Sequence, residues 1–158
     1  MRISPHFSLA EFAVSASHPH LVRPVPAQFV SYVRLLAVLA LEPVREALGR
    51  PLRVLSGFRD VELNKAVGGS PTSQHAMAQA VDVTTGGAED IMRALVQLQP
   101  KGVGQVIYYP EQQFVHIGLI STQYPQFTPF VSPSSKVYRP MAPTEDDFDA
   151  MLHSLRVA

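Results

Sequence analysis

Between Ala27 and about Leu48, the apolar residues Phe29, Val33, Leu36, Ala40, Val44 and Leu48 recur at spacings of three and four, the mark of an amphipathic helix. This stretch is expected to be the largest core helix. Pro43 lacks an amide donor and crowds the preceding turn, so a kink or restart is expected near Glu42, and Gly49 ends the helix. A second helix is expected from about Ala88 to Leu98. There Ile91, Ala94, Leu95 and Leu98 share one face, and Glu89 and Asp90 suit the positive N-terminal end. A third runs from a Thr144 cap to about Leu155 on the stripe Phe148, Met151, Leu152 and Leu155. Ser8-Leu9-Ala10-Glu11 reads as a capping box opening a short helix pinned by Phe7 and Phe12, and Asp60 caps another through about Val67.

Shorter alternating or β-branched runs read as strands: residues 51–56, 79–83, 104–109 and 113–119, the last two antiparallel across a tight connection at Pro110-Glu111. Residues 14–26 carry three prolines among Ser and His and suit an irregular connector. Beyond Ser121 the pattern dissolves into Pro125, Pro129, Pro133, Pro140 and Pro143 with many polar residues, which points to an extended tail. The expected organisation is therefore one domain over 1–120, a Pro-rich extended segment over 121–143, and a C-terminal helix over 144–158 docked back on the domain. The expected fold class is α+β, with helices packed on a small, mainly antiparallel sheet.

At 158 residues the chain is long enough to bury a core without disulfides, and it has no cysteine. Thiolate chemistry and Cys-rich zinc sites are thereby excluded, and any metal must be held by His, Asp or Glu. Thirteen basic and thirteen acidic residues with no Lys/Arg cluster give no nucleic-acid footprint. No uninterrupted apolar run approaches the roughly 18–20 residues of a membrane span, and the N-terminus lacks the apolar core of a secretory signal. The protein is expected to be made in the cytoplasm and to reach any target outside it by another route.

The chemistry-bearing stretch is Gly68-Gly69-Ser70-Pro71-Thr72-Ser73-Gln74-His75, continuing to Asp82 and answered by His116 in Phe114-Val115-His116. Two histidines and one carboxylate on separate segments can give three ligands to a single ion and leave a position open. Spacing alone admits a second reading, in which His75 lies in a surface loop, Asp82 caps a turn and His116 is a satisfied half-buried histidine. The Gly-rich loop lacks Gly-Lys-Ser/Thr and is not a phosphate cradle. His18, His20 and His153 read as loop or solvated residues.

Taken together, Ser56-Gly57-Phe58-Arg59, Glu62-Leu63-Asn64, Gly68-Gly69-Ser70, Ser73-Gln74-His75, Ala80-Val81-Asp82 and Phe114-Val115-His116 resemble the D-Ala-D-Ala carboxypeptidase-like zinc peptidases of bacterial cell-wall metabolism and phage lysis. The likeness runs from about Phe7 to Leu119 and implies a hedgehog/D-Ala-D-Ala-peptidase-like fold. It further implies Zn²⁺ held by His75, Asp82 and His116, with Arg59 holding a substrate carboxylate or carbonyl through its fork of donors. Ser73 would orient the ligand loop or a substrate carbonyl. Without the resemblance, Arg59 reads as a surface ion pair with Asp60 or Glu62, and Ser73 as a turn former.

Two positions depart from the family pattern. The glycine between the first two ligands is Ala78, tolerable if the backbone there has negative φ. Where many members carry an acidic general base, three residues before the last histidine, stands Gln113, which cannot take a proton; Glu111 is the nearest carboxylate and the candidate replacement. The resemblance implies peptidoglycan peptides as substrate, met after release from the cell or as part of a phage particle whose subunits the 121–143 segment could contact. An alternative from another class is a structural or wall-binding component of such a particle that keeps the fold, with or without the metal, and has lost turnover. A third is a globular domain that holds no metal.

Overall fold

In the computed structural model, which describes residues 1–157, the strands are β1 (Arg53–Ser56), β2 (Ala80–Thr84), β3 (Val103–Tyr109), β4 (Phe114–Leu119), β5 (Thr128–Ser134) and β6 (Val137–Pro140). They form one sheet in the order β1-β2-β4-β3-β5-β6, antiparallel throughout except for the β3–β5 pair. The helices are α1 (Val30–Leu36), α2 (Glu42–Leu48), α3 (Val61–Ala66), α4 (Ala88–Leu98) and α5 (Glu145–Arg156). The fold class is α+β.

The long N-terminal helix enters through a 3₁₀ turn at Ala27–Phe29 and passes from α1 to α2 through a π-helical turn at Ala37–Leu41. That wider turn lies immediately before Pro43 and accommodates both its missing donor and the crowding by its ring. Val33 and Leu36 of α1 are buried against β2 and β4 together with α4, whose Ile91, Met92 and Leu95 share one core with Ala40, Leu41 and Val44 as α2 packs on α4. Alternation within β4 sends Val115 and Ile117 to this helix-covered face, which leaves Phe114, His116 and Gly118 for the other. Local chemistry sets the short elements: Glu11 accepts from the Ser8 amide at 2.6 Å, and Asp60 Oδ1 accepts from the Leu63 amide at 2.8 Å.

The segment expected to be a tail corrects the sequence reading. Residues 128–140 are not a loose arm; they add β5 and β6 to the sheet, with Phe130 opposite Ile107 of β3 and Pro140 of β6. Pro129 and Pro133 supply no amide donor, which made this stretch read as coil, yet Pro129 and Val131 are buried in alternate positions. Thr144 caps α5 by accepting from the Asp147 amide at 3.2 Å. That helix then lays Phe148 edge-on against Tyr108 (5.9 Å) and beneath Arg93 (5.3 Å), which also binds Asp149 at 2.8 Å.

Phe148 is wholly buried. Phe148→Ala is expected to cost about 3–5 kcal/mol. Chemical unfolding checks this: the midpoint should fall at unchanged slope, whereas an undocked α5 would leave it unmoved.

Candidate metal centre

One rung of the sheet carries most of the site. Register sets Ser56 of β1 opposite Asp82 of β2, Asp82 opposite His116 of β4, and His116 opposite Ile107 of β3. His75 comes from outside the sheet, on a 3₁₀ turn at Gln74–Met77 whose N-cap Ser73 accepts from the His75 amide at 3.3 Å. The turn is held at both ends: Asn64 Nδ2 donates to Ser70 O at 2.8 Å, and Gln74 Nε2 donates to Leu119 O at 2.9 Å. Gly118 is needed for the second tie, because a Cβ there would stand 2.3 Å from Gln74 Oε1. Ala78, just after the turn, has φ 56°. The negative φ expected there is thus corrected: this chain places an alanine where the backbone is left-handed, at a cost of about 1–2 kcal/mol.

His75 Nε2, His116 Nδ1 and Asp82 Oδ1 form a triangle. His116 Nδ1 lies 3.0 Å from Asp82 Oδ1, and His75 Nε2 lies 3.3 Å from each of the other two. A tetrahedral ion with bonds of about 2.0–2.1 Å spans edges of about 3.3–3.4 Å, so the three atoms fit one face of such a coordination sphere. Proton bookkeeping agrees. His75 Nδ1 faces Gly57 O at 2.8 Å, so that nitrogen carries the hydrogen, and Nε2 of the neutral ring aims a lone pair at the Asp82 carboxylate. Two acceptors facing each other in a buried place call for a cation between them.

Asp82 is bound from the far side by Arg59, whose Nη2 lies 3.3 Å from Oδ2 and whose Nε donates to Ser56 Oγ at 3.0 Å. Burial alone would raise the Asp82 pKa. The charge and hydrogen bonds that His75 and His116 supply when protonated outweigh it and hold the carboxyl well below the usual carboxylate range. Burial lowers the His75 pKa against the opposing pull of Asp82, which favours the neutral, ligating ring.

The triangle lies in a cleft of about 730 Å³, also lined by Arg59, Ser73, Gln74, Gln105, Tyr109, Tyr124, Phe130 and Tyr138. Arg59 and Ser73 both line the cleft beside the triangle. Glu111 does not: it is exposed in the β3–β4 turn and does not line the cleft. Gln113 faces the helix side, donating from Nε2 to Tyr108 Oη (3.0 Å) and Pro110 O (2.8 Å) and accepting from the Ala88 amide (3.3 Å). Gln113 lies in the turn before β4 with φ 56°, and those hydrogen bonds hold its side chain away from the cleft. His6 pairs with Glu42 at 2.7 Å and His18 with Ser17 at 2.8 Å, both away from the cleft. The sequence reading missed the aromatic lining. Tyr109 was accessible through its phase with His116 across β3 and β4, but Phe130 and Tyr138 required the two unforeseen strands.

Two histidines and an aspartate presented as one open face could hold a divalent metal with room for a further ligand. The Peptidase M15 family model matches residues 5–118, and the chain belongs to that family of peptidases. No curated protein matches it.

Because the His75 pKa falls on folding, the unfolded chain binds a proton there over a pH range in which the native chain does not. Acidification below about 6.5 therefore favours unfolding. The Asp82 carboxylate adds in the same direction below about pH 4, its contribution being complete above that value. The melting temperature of the metal-free protein is expected to fall as pH drops from 7 to 4. Stoichiometric zinc should raise it at pH 7 and lose its effect over the same acid range, with His75→Ala abolishing the zinc response. Calorimetry with and without zinc checks all three.

Proposed function

We propose that the protein is a zinc-dependent peptidase that hydrolyses peptide bonds in peptidoglycan stem peptides or cross-links. The convergence of His75 Nε2, His116 Nδ1 and Asp82 Oδ1 in an open cleft is the observation that carries this reading. His75, Asp82 and His116 would hold the metal, which when bound polarises a carbonyl and lowers the pKa of water toward about 7.

The other residues act through position. Gly57 O fixes the His75 tautomer, and Arg59 holds Asp82 in place, keeping Nη1 for a substrate carbonyl or carboxylate. Ser73 braces the ligand turn. Ser70, Thr72, Gln79 and Gln105 give the cleft neutral donors and acceptors that suit an extended peptide backbone. The protein would meet the wall after release from the cell or as part of a phage particle.

One observation favours a second reading, an impaired wall-binding component of a phage or tail-like particle. Among the described residues, Asp82 is the only carboxylate lining the cleft. Without a dedicated base, turnover is expected to be slower by about 10²–10⁴.

Incubating purified muropeptides with the zinc-loaded protein and with His75→Ala, followed by mass spectrometry, separates the two. Cleavage at one defined bond that the variant loses supports the peptidase, and zinc binding without cleavage supports the wall-binding component. Gln113→Glu should leave the cleavage rate unchanged within about twofold, since its side chain is held on the helix side of the sheet.

A further inference from the structure

We infer that the end of the cleft built by β5 and β6 is a subsite for a sugar ring, the N-acetylated sugar to which a stem peptide is joined. The subsite rests on the peptidoglycan reading above and extends it. The rung that carries the ligands does not stop at β3: Ser56, Asp82, His116, Ile107, Phe130 and Pro140 stand opposite one another in turn across all six strands. Arg59 binds both Ser56 and Asp82, which sets its guanidinium at the β1 end of the cleft, next to the ligand triangle. Phe130 and Tyr138 line the other end, Tyr138 preceding Pro140 by two residues on β6 and so sharing its face.

The rings on that side form a braced wall. Tyr124 packs edge-on against Phe130 at 5.9 Å, and Tyr109 is stacked on Phe114 at 4.3 Å. The turn that carries Tyr124 is closed by the Ser121 amide, which donates to Tyr124 O at 3.0 Å, and by the Tyr124 amide, which donates to Ser121 Oγ at 3.1 Å. Tyr138 stays half exposed. The polar groups among the rings, Gln105, Ser121, Thr122 and Gln123, are all neutral. Among the described residues, Arg59 and Asp82 are the charged side chains that line the cleft besides its two histidines. An occupant of the aromatic end is therefore neutral, with a face for the rings and hydrogen-bonding groups for the amides. A pyranose with an acetamido group supplies both, since its weakly positive C–H face suits an aromatic ring and its hydroxyls point outward from the rim. An aliphatic side chain would leave the amides and hydroxyls unanswered.

Distance agrees. Neighbouring strands lie about 4.8 Å apart, so Phe130, two strands from His116, stands about 10 Å away and Tyr138, on the next strand, about 15 Å. An extended peptide covers about 3.3 Å per residue and reaches this wall about three to four residues from the bond at the metal. That is the span from a bond near the free end of a stem peptide back to the sugar that carries it. Charge sets the same direction, with the carboxyl end of the peptide at Arg59 and its amino end toward β6. Tyr124, Phe130 and Tyr138 all lie beyond residue 118, where the family match ends, so this wall is built largely from residues outside the shared part.

Calorimetry on the full chain, kept zinc-free so that no ligand is consumed, compares N-acetylmuramyl pentapeptide with the same pentapeptide bearing an N-lactoyl group in place of the sugar. The sugar-bearing ligand should bind about tenfold more tightly. Tyr138→Ala should remove that advantage, with the melting temperature near wild type because the residue is half exposed, and Tyr138→Phe should keep it. In the zinc-loaded protein the same ratio should appear in KM. Equal affinities for the two ligands in the wild type, or a Tyr138→Ala variant that keeps the preference or weakens both ligands alike, would overturn the sugar subsite alone. A wild type that binds neither ligand, with or without zinc, overturns the peptidoglycan reading and the subsite with it.

Discussion

The pairing of Asp82 with His116 across two antiparallel strands is the constraint on which the rest of the molecule depends. A shift of β2 against β4 by one residue would turn the carboxylate to the helix-covered face, burying a charge against Val115 and Ile117, and would turn Val81 and Val83 out to the cleft. The apolar packing of α1 and α4 on those four residues therefore fixes the ligand geometry as well as the stability. Two donors set by one rung need only a third from elsewhere, and the turn carrying His75 supplies it. That turn is tied to the sheet by Gln74 and to α3 by Asn64.

The elements that were legible in the sequence are those specified by local chemistry. The periodicity of α4, the caps at Asp60 and Thr144, the capping box at Ser8 and the Pro43 disturbance all act within a few residues, and each lies in the structure where the pattern put it. The β3–β4 hairpin was legible for the same reason. The β5–β6 pair was not, because its partner, β3, lies some twenty residues back and its prolines erase the alternation that would mark a strand. Pairing with a pre-existing edge is a tertiary effect that no short window contains.

The candidate site divides along a similar line. Spacing raised His75, Asp82 and His116 as one reading of two, Arg59 and Ser73 entered only through the family resemblance, and the cleft gathers all five. Glu111 was chosen for nearness in sequence and failed because a hairpin turn projects outward. Gln113, where the family pattern often carries an acid, is turned away from the cleft by its own hydrogen bonds. Ala78 holds left-handed backbone without being glycine, the strain being carried by its buried neighbourhood.

Gly57 joins two parts of the molecule that have no obvious business with each other. Its carbonyl accepts from His75 Nδ1, while a Cβ on it would lie 2.3 Å from the carbonyl oxygen of Phe12, and the next amide, that of Phe58, donates to that same oxygen. Phe12 is in turn buried edge-on against Phe7. The seating of the first dozen residues therefore bears on which imidazole nitrogen of His75 carries the hydrogen. A disturbance at the amino end would reach the ligand field as a change of tautomer, with no displacement of the strands between.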